Sequence, residues 1–148
     1  MNITDFLNRY GNGSTSNFQL LDWSKQLGIP KLYVRMANEL GDLVRLKRKT
    51  NKPLYIICNY QSTKDIGTHW TALYKYKDNA YFFDPYGIQP FPEAKNFLES
   101  GVYSTFRIQP DGSKMCGVLC LFVLYRLSKG DDFYDVVLKL NDDIEKLQ

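Results

Sequence analysis

The sequence predicts an α+β fold: a small mixed or antiparallel sheet packed on a buried helix that begins at Cys116, with further helices flanking it. Three observations carry this. Cys116 to Leu127 (Cys-Gly-Val-Leu-Cys-Leu-Phe-Val-Leu-Tyr-Arg-Leu) is apolar almost all round a helix, the pattern of a central helix rather than a surface one. Leu54 to Cys58 (Leu-Tyr-Ile-Ile-Cys) is a continuous apolar run, as a buried strand requires. His69 to Tyr76 and Ala80 to Asp84 flank Lys77-Asp78-Asn79 and read as a β-hairpin. At 148 residues the chain fits one domain, 1–148, and its 44% hydrophobic and 15% aromatic content places it among globular rather than disordered proteins.

The remaining elements follow in chain order. Asn2 to Tyr10 forms a short helix, and Gly11-Asn12-Gly13-Ser14-Thr15-Ser16 a loop. Asn17 caps a second helix running to about Leu27, with Phe18, Leu21 and Leu27 among its apolar positions; Gly28 and Pro30 end it. Leu32 to Leu46 reads two ways, since Tyr33-Val34 suits a strand and Met36-Ala37-Asn38-Glu39-Leu40 a helix. Pro92 to Glu99 is a short helix with proline in its first turn, and Val102 to Ile108 alternates as a strand does. Gly130 breaks the Cys116 helix, and Asp131 caps a final amphipathic helix to about Leu147.

Charge and cysteine usage narrow the function classes. The net charge of +3 is a mild basic balance that selects no partner by itself. The N-terminus lacks the basic and apolar regions of a signal peptide, and the longest apolar run, Val118 to Tyr125, is too short to span a bilayer. An intracellular chain with reduced thiols and no membrane partner is expected. Cys58, Cys116 and Cys120 are odd in number, which argues against a disulfide framework. Cys116 and Cys120 form the one closely spaced pair, and no second pair or spare histidine completes a metal site, so none is expected.

The chemistry lies in four residues in the order His69, Asp84, Gln109, Cys116. Cys116 stands where a loop gives way to a helix, and the partial positive charge of a helix N-terminus favours a thiolate. A free cysteine is otherwise a small buried hydrophobe, the role expected of Cys58 and Cys120. His69 is the only histidine, hence the only base of ordinary pKa near neutrality. Asp84 is either the carboxylate that orients His69 or a plain turn residue before Pro85. The hairpin register decides: a two-residue turn at Asp78-Asn79 would pair His69 with Ile88, roughly 13 Å along the strand from Asp84. A turn centred on Tyr76-Lys77, or a bulge, brings His69 opposite Asp84, and that arrangement is predicted. Gln109, seven residues before Cys116, is either a solvated loop residue or a donor that forms an oxyanion hole with the Cys116 N–H. Trp70 and Gly117 are substrate-cleft candidates, Trp70 as a shield against water and Gly117 as a place of close substrate approach. The order excludes a papain-like arrangement, which runs Cys, His, Asn, and no serine nucleophile elbow is present.

Together, Gly67-Thr68-His69-Trp70, Phe82-Phe83-Asp84-Pro85-Tyr86-Gly87, Gln109-Pro110-Asp111-Gly112 and Cys116-Gly117 resemble the adenain and ubiquitin-like-protein protease clan. The aromatic-acid-Pro-aromatic-Gly pattern, the Gln-to-Cys step and the short chain are most similar to adenain and to the maturation proteases of virophages and Polinton-type elements. The resemblance implies a cysteine endopeptidase with His69, Asp84 and Cys116 as triad and Gln109 in the oxyanion hole. It implies glycine-containing cleavage sites in capsid and core precursors, a monomer, and localisation to the virion and infected host cell. Asp84 stands where adenain has glutamate. Adenain uses DNA and a cysteine-tethered viral peptide as cofactors, but no cysteine lies between Asp84 and Cys116. The sequence therefore requires no cofactor, with DNA or a peptide as candidate activators. Arg45, Lys47, Arg48, Lys49 and Lys52 form a basic run read either as a solvated face or as a non-specific DNA contact. The competing functions are a ubiquitin-like-modifier protease, an acyltransferase like some bacterial effectors, and a non-catalytic DNA-binding or virion structural module.

Overall fold

The computed structural model describes residues 1–60, 69–104, 107–110 and 112–148. Its sheet has five strands in the order β1-β2-β3-β4-β5: β1 (Leu32–Met36), β2 (Leu54–Tyr60), β3 (His69–Tyr76), β4 (Asn79–Phe83) and β5 (Val102–Tyr103). The central pairs β2–β3 and β3–β4 are antiparallel, and the outer pairs β1–β2 and β4–β5 are parallel, so the sheet is mixed. The helices are α1 (Ile3–Tyr10), α2 (Asn17–Gln26), α3 (Val44–Lys49), α4 (Pro92–Leu98), α5 (Cys116–Ser128) and α6 (Phe133–Lys146). A 3₁₀ helix at Ala37–Leu43 precedes α3. The ambiguous segment from Leu32 to Leu46 thus holds a strand and two helical pieces in succession.

The sheet is covered on both faces, which is why Leu54 to Cys58 does not alternate. Tyr55, Ile57, Trp70, Ala72 and Phe83 face α5 and join its core. Leu54, Ile56, Cys58, Leu73 and Phe82 form a second core with Leu40 and Leu43 of the 3₁₀ helix and Ala94, Phe97 and Leu98 of α4. Every α5 residue from Cys116 to Leu124 is buried. Beyond the sheet this helix is jacketed by α1, where Phe6 meets Phe122 edge to face at 5.2 Å, and by α6, with Val136, Val137 and Leu140 inside.

Several boundaries differ from expectation. Ser16, not Asn17, caps α2; its side chain accepts from the Gln19 N–H while Gln19 reaches back to the Ser16 N–H. Phe18 consequently falls on the outer side of α2 and is 77% exposed rather than apolar packing. Asp132, not Asp131, caps α6, while Asp131 pairs with Arg126. The expected strand over Val102 to Ile108 shrinks to β5; residues 105 and 106 lie outside the described residues, and the Ile108 and Gln109 N–H groups bond to the Pro85 carbonyl instead of a strand.

The hairpin turn is Lys77-Asp78, between the two registers weighed above, with no bulge: Tyr76 pairs with Asn79 and Ala72 with Phe83. Lys77 takes the left-handed conformation that such a tight turn demands, with φ 53°. The last pair is Ala72 and Phe83, so β3 continues three residues beyond its partner to His69. By alternation, His69 and Asp84 then share a face as diagonal neighbours, and the residue opposite His69 in the extended register is Tyr86.

Candidate active site

Asp84 is placed by a tight turn. Its carbonyl accepts from the Gly87 N–H at 2.8 Å, and Gly87 has φ +72°. Aspartate first, proline second and glycine fourth suit this turn. Its side chain folds back on the same turn, Oδ1 accepting from the Tyr86 N–H at 2.8 Å. That oxygen also meets His69 Nε2 at 2.7 Å. The diagonal offset is closed by the aspartate turning off the ladder rather than by a shifted register. The Tyr86 ring stacks on the imidazole, with centroids 4.8 Å apart and planes 23° apart.

Cys116 is the first residue of α5, and Met115 at the N-cap position offers no side-chain oxygen to the first-turn N–H groups. The amide dipoles of a 13-residue helix therefore converge where the thiol sits. Cys116 lines the same cleft as His69 and acts on the protonation of the imidazole. With Nε2 on Asp84, Nδ1 is the ring nitrogen not engaged by the carboxylate. Burial alone would lower the imidazole pKa, but hydrogen bonds to Asp84 and Cys116, reinforced by their charges, outweigh it and raise His69 to about 9. The other two thiols are different. Burial pushes Cys58 up to about 12 and Cys120 well above the ordinary thiol range, so both are protonated near neutrality. Cys120 donates to the Trp70 carbonyl at 3.3 Å.

Gln109 is 2% exposed and lies beside Cys116 in the cleft wall. Its backbone N–H is anchored on the Pro85 carbonyl at 2.9 Å, and its side-chain Nε2 donates to the Ser113 carbonyl at 2.7 Å. An amide nitrogen carries two hydrogens, so one remains after this bond. Among the described residues Gln109 Oε1 has no hydrogen-bond partner.

These four residues meet in a cleft of about 1060 Å³. Ser14, Thr15 and Trp70 line it with Cys116 and Gln109, as do Tyr60, Ile88 and Phe91. Trp70 combines the two roles weighed for it: it is 8% exposed in the core, and it lines the cleft. Its indole N–H donates to the Thr15 carbonyl at 3.2 Å.

Gly117 does not offer a place for substrate approach. A Cβ on this residue would lie 1.9 Å from Thr15 Oγ1 and 3.0 Å from Trp70 Cδ1, so the glycine is a seat for the N-terminal loop. Thr15 is the residue that sequence reading passed over; a Gly-Ser-Thr-Ser loop carries no pattern that announces a distant packing partner. Gly117→Ala is expected to destabilise the chain by about 1–2 kcal/mol. Thr15→Ala in the same chain should recover most of that loss in a urea melt; independent, additive losses would show that the two residues do not meet.

The basic run also divides. Lys47 is turned inward, with its ammonium on the Phe97 carbonyl and 3.1 Å from Glu99, while Arg45, Arg48, Lys49 and Lys52 are exposed. Residues Gly67 and Thr68, part of the sequence motif, lie outside the described residues, as does Asp111. Among the described residues no group of three or more His, Cys, Asp or Glu side chains is arranged to hold a metal ion, and no helix is long and apolar enough to cross a membrane.

By sequence, the chain matches no family model and no curated protein. By structure, it is similar to the ASFV pS273R protease, with a TM-score of 0.62 and 14% identity over 84% of this chain and 62% of that one. It is also similar to AvrA, in a delL154 form with IP6 and CoA, with a TM-score of 0.53 and 19% identity over 86% of this chain and 53% of that one. The chain therefore spans less than two thirds of either neighbour. The likeness is one of fold and does not single out an adenoviral or virophage branch. What the chain shares with these two proteins is their α+β fold.

Proposed function

We propose that this chain is a cysteine endopeptidase that cuts glycine-containing sites in capsid or core precursor proteins during virion maturation. The observation that carries the reading is the meeting of Cys116, at the N-terminus of α5, with the His69–Asp84 pair on one open cleft. The viral protease fold and the adenain-like motifs support the substrate class.

The mechanism is acyl-enzyme hydrolysis. The Cys116 thiolate, paired with the His69 imidazolium, attacks the scissile carbonyl carbon. The carbonyl oxygen takes up the negative charge and is held by the remaining Gln109 N–H and the Cys116 backbone N–H. As the tetrahedral centre collapses, His69 gives its proton to the leaving amine and the C–N bond breaks, leaving a thioester on Cys116. Neutral His69 then takes a proton from water, the hydroxide attacks the thioester, and the thiolate leaves with the imidazolium restored. Asp84 holds the ring in place and stabilises its charge throughout.

The test is a peptide panel: capsid-derived peptides with Gly-Gly or Gly-X-Gly sites against ubiquitin-like C-terminal amides. Hydrolysis of the first set supports the proposal, and preference for the second makes the chain a modifier protease. Because one neighbour carries CoA, acetyl-CoA is included in the panel; acetyl transfer without peptide hydrolysis would make it an acyltransferase. Gln109→Ala should lower kcat about 10²-fold while Cys116 alkylation by iodoacetamide stays at its wild-type rate, since the oxyanion forms only during acyl chemistry. Equal loss in both assays would make Gln109 a packing residue. The same reading gives the exposed Arg45, Arg48, Lys49 and Lys52 a role in holding the enzyme on DNA, with an affinity that falls steeply as salt rises.

A further inference from the structure

Among the described residues the ionisable groups that bear on charge in the cleft are His69, Asp84, Cys116 and Lys114. The first three belong to the reacting set. The Asp84 carboxylate is buried, and its Oδ1 is engaged by the imidazole and by the Tyr86 N–H, so it presents little charge to a ligand. Lys114 differs on both points. It is exposed, and among the described residues its ammonium has no hydrogen bond or ion pair. Ser14, Thr15, Gln89, Gln109 and Ser113, which line the same cleft, are neutral.

The backbone around Lys114 is anchored beside the reacting atoms. The Ser113 N–H donates to the Pro110 carbonyl at 3.1 Å, closing a turn, and the Ser113 carbonyl accepts from Gln109 Nε2 at 2.7 Å. Two residues after Lys114 the chain enters α5 at Cys116. Lys114 therefore stands in the chain between the two donors assigned to the oxyanion, the Gln109 amide and the Cys116 N–H. An extended peptide advances about 3.3 Å per residue, and the ammonium rides on a flexible four-carbon stem. A peptide whose scissile carbonyl rests on those donors thus brings only its nearest few side chains within reach of Lys114.

We propose that Lys114 is a specificity-determining residue that selects substrates with an Asp or Glu side chain within three residues of the scissile bond. The peptide part of this rests on the endopeptidase reading; the attraction of an anion toward Cys116 does not. An ammonium has three donors and no acceptor. A carboxylate gains both a hydrogen bond and a charge pair from it, an amide of the same shape gains only the hydrogen bond, and a lysine is repelled. The pair is exposed to water, so it sorts substrates by a modest factor and weakens as salt rises.

The experiment has two arms, each run on the wild type, Lys114→Gln and Lys114→Glu. Lys114 stands exposed on a loop, so both variants should fold. In the first arm, Glu, Gln or Lys is placed in turn at each of the three positions on either side of a Gly-Gly site, and kcat/KM is measured. At one or more positions the wild type should prefer Glu over Lys by about 5-fold at low salt. The preference should vanish in Lys114→Gln, invert in Lys114→Glu, and fade at about 0.5 M salt. Equal cutting of Glu and Lys peptides at every position, or a Glu preference that survives in Lys114→Glu, would overturn the proposal. The second arm needs no peptide. It compares alkylation of Cys116 by iodoacetate and by iodoacetamide, which are alike in size and leaving group but differ in charge. The ratio of the two rates should fall about 3-fold from the wild type to Lys114→Glu. A lysine that merely activated the thiolate would change both rates together and leave the ratio alone. If no peptide is cut, this arm decides by itself: a falling ratio removes the endopeptidase reading and keeps the anion-selecting role of Lys114, and a constant ratio removes both.

Discussion

Replacing His69 by alanine is expected to stop peptide hydrolysis, lowering the rate by about 10⁴-fold or more, with Cys116→Ala equally inactive. The two residues act as one unit: without the imidazole, sulfur lacks the cation that holds it as a thiolate, and the departing amine lacks its proton donor. His69 is the sole histidine, so no neighbour of the same kind can substitute. The fold should tolerate the change, because His69 stands partly buried at the end of β3, in the cleft wall and not in either core. Hydrolysis by purified, folded His69→Ala at a tenth of the wild-type rate would remove this histidine from the mechanism.

The second large effect belongs to Asp84. Its carboxylate is buried, with a side-chain exposure of 6%, and one of its oxygens serves both the imidazole and the Tyr86 N–H. In Asp84→Ala the burial of His69 is no longer offset by a carboxylate, so its titration midpoint should fall from about 9 by more than one unit. Peptide hydrolysis should drop about 10²-fold, less than for His69→Ala, because the ring and the thiol remain. Equal losses in the two variants would contradict an orienting role. The sign of the accompanying stability change follows from the raised pKa. Protonated His69 contributes to folding at pH values below its ordinary 6.5, and the contribution is lost as pH rises through about 9. Wild-type stability should decline across that window by an amount on the order of a few kcal/mol, and Asp84→Ala should show a flatter profile there. A urea melt at pH 6 and pH 9.5 checks both.

What the sequence made legible was whatever a short stretch decides alone. A helix apolar on all sides must be central, so α5 and the position of Cys116 at its start could be read directly. Proline in the first turn of α4 and the left-handed Gly130 after α5 also work locally. The His69–Asp84 pairing was legible as chemistry but not as geometry. A change of one residue at each side of the hairpin turn moves the partner of His69 by two positions, and Lys77-Asp78 carries none of the Asn-Gly or Asp-Gly signals that would fix it. Tyr86 was visible only as the second aromatic of Phe83-Asp84-Pro85-Tyr86-Gly87; its stack on His69 depends on that register. Contacts between distant segments were out of reach altogether. Nothing local to Gly117 announces Thr15, and nothing local to Lys47 announces Glu99, so the glycine reads as a place of close substrate approach and the lysine as one more member of a basic run.

The central claim is that Cys116 alone among the three thiols is activated, and that His69 activates it. The most direct measurement is alkylation of the folded chain with limiting iodoacetamide from pH 5 to pH 9, the label located by mass spectrometry, with His69→Ala alongside. Cys116 should be labelled selectively below pH 7, Cys58 and Cys120 should stay unlabelled, and the selectivity should vanish in His69→Ala. Equal labelling of the three cysteines, or selective labelling of Cys116 that persists without His69, would contradict the account.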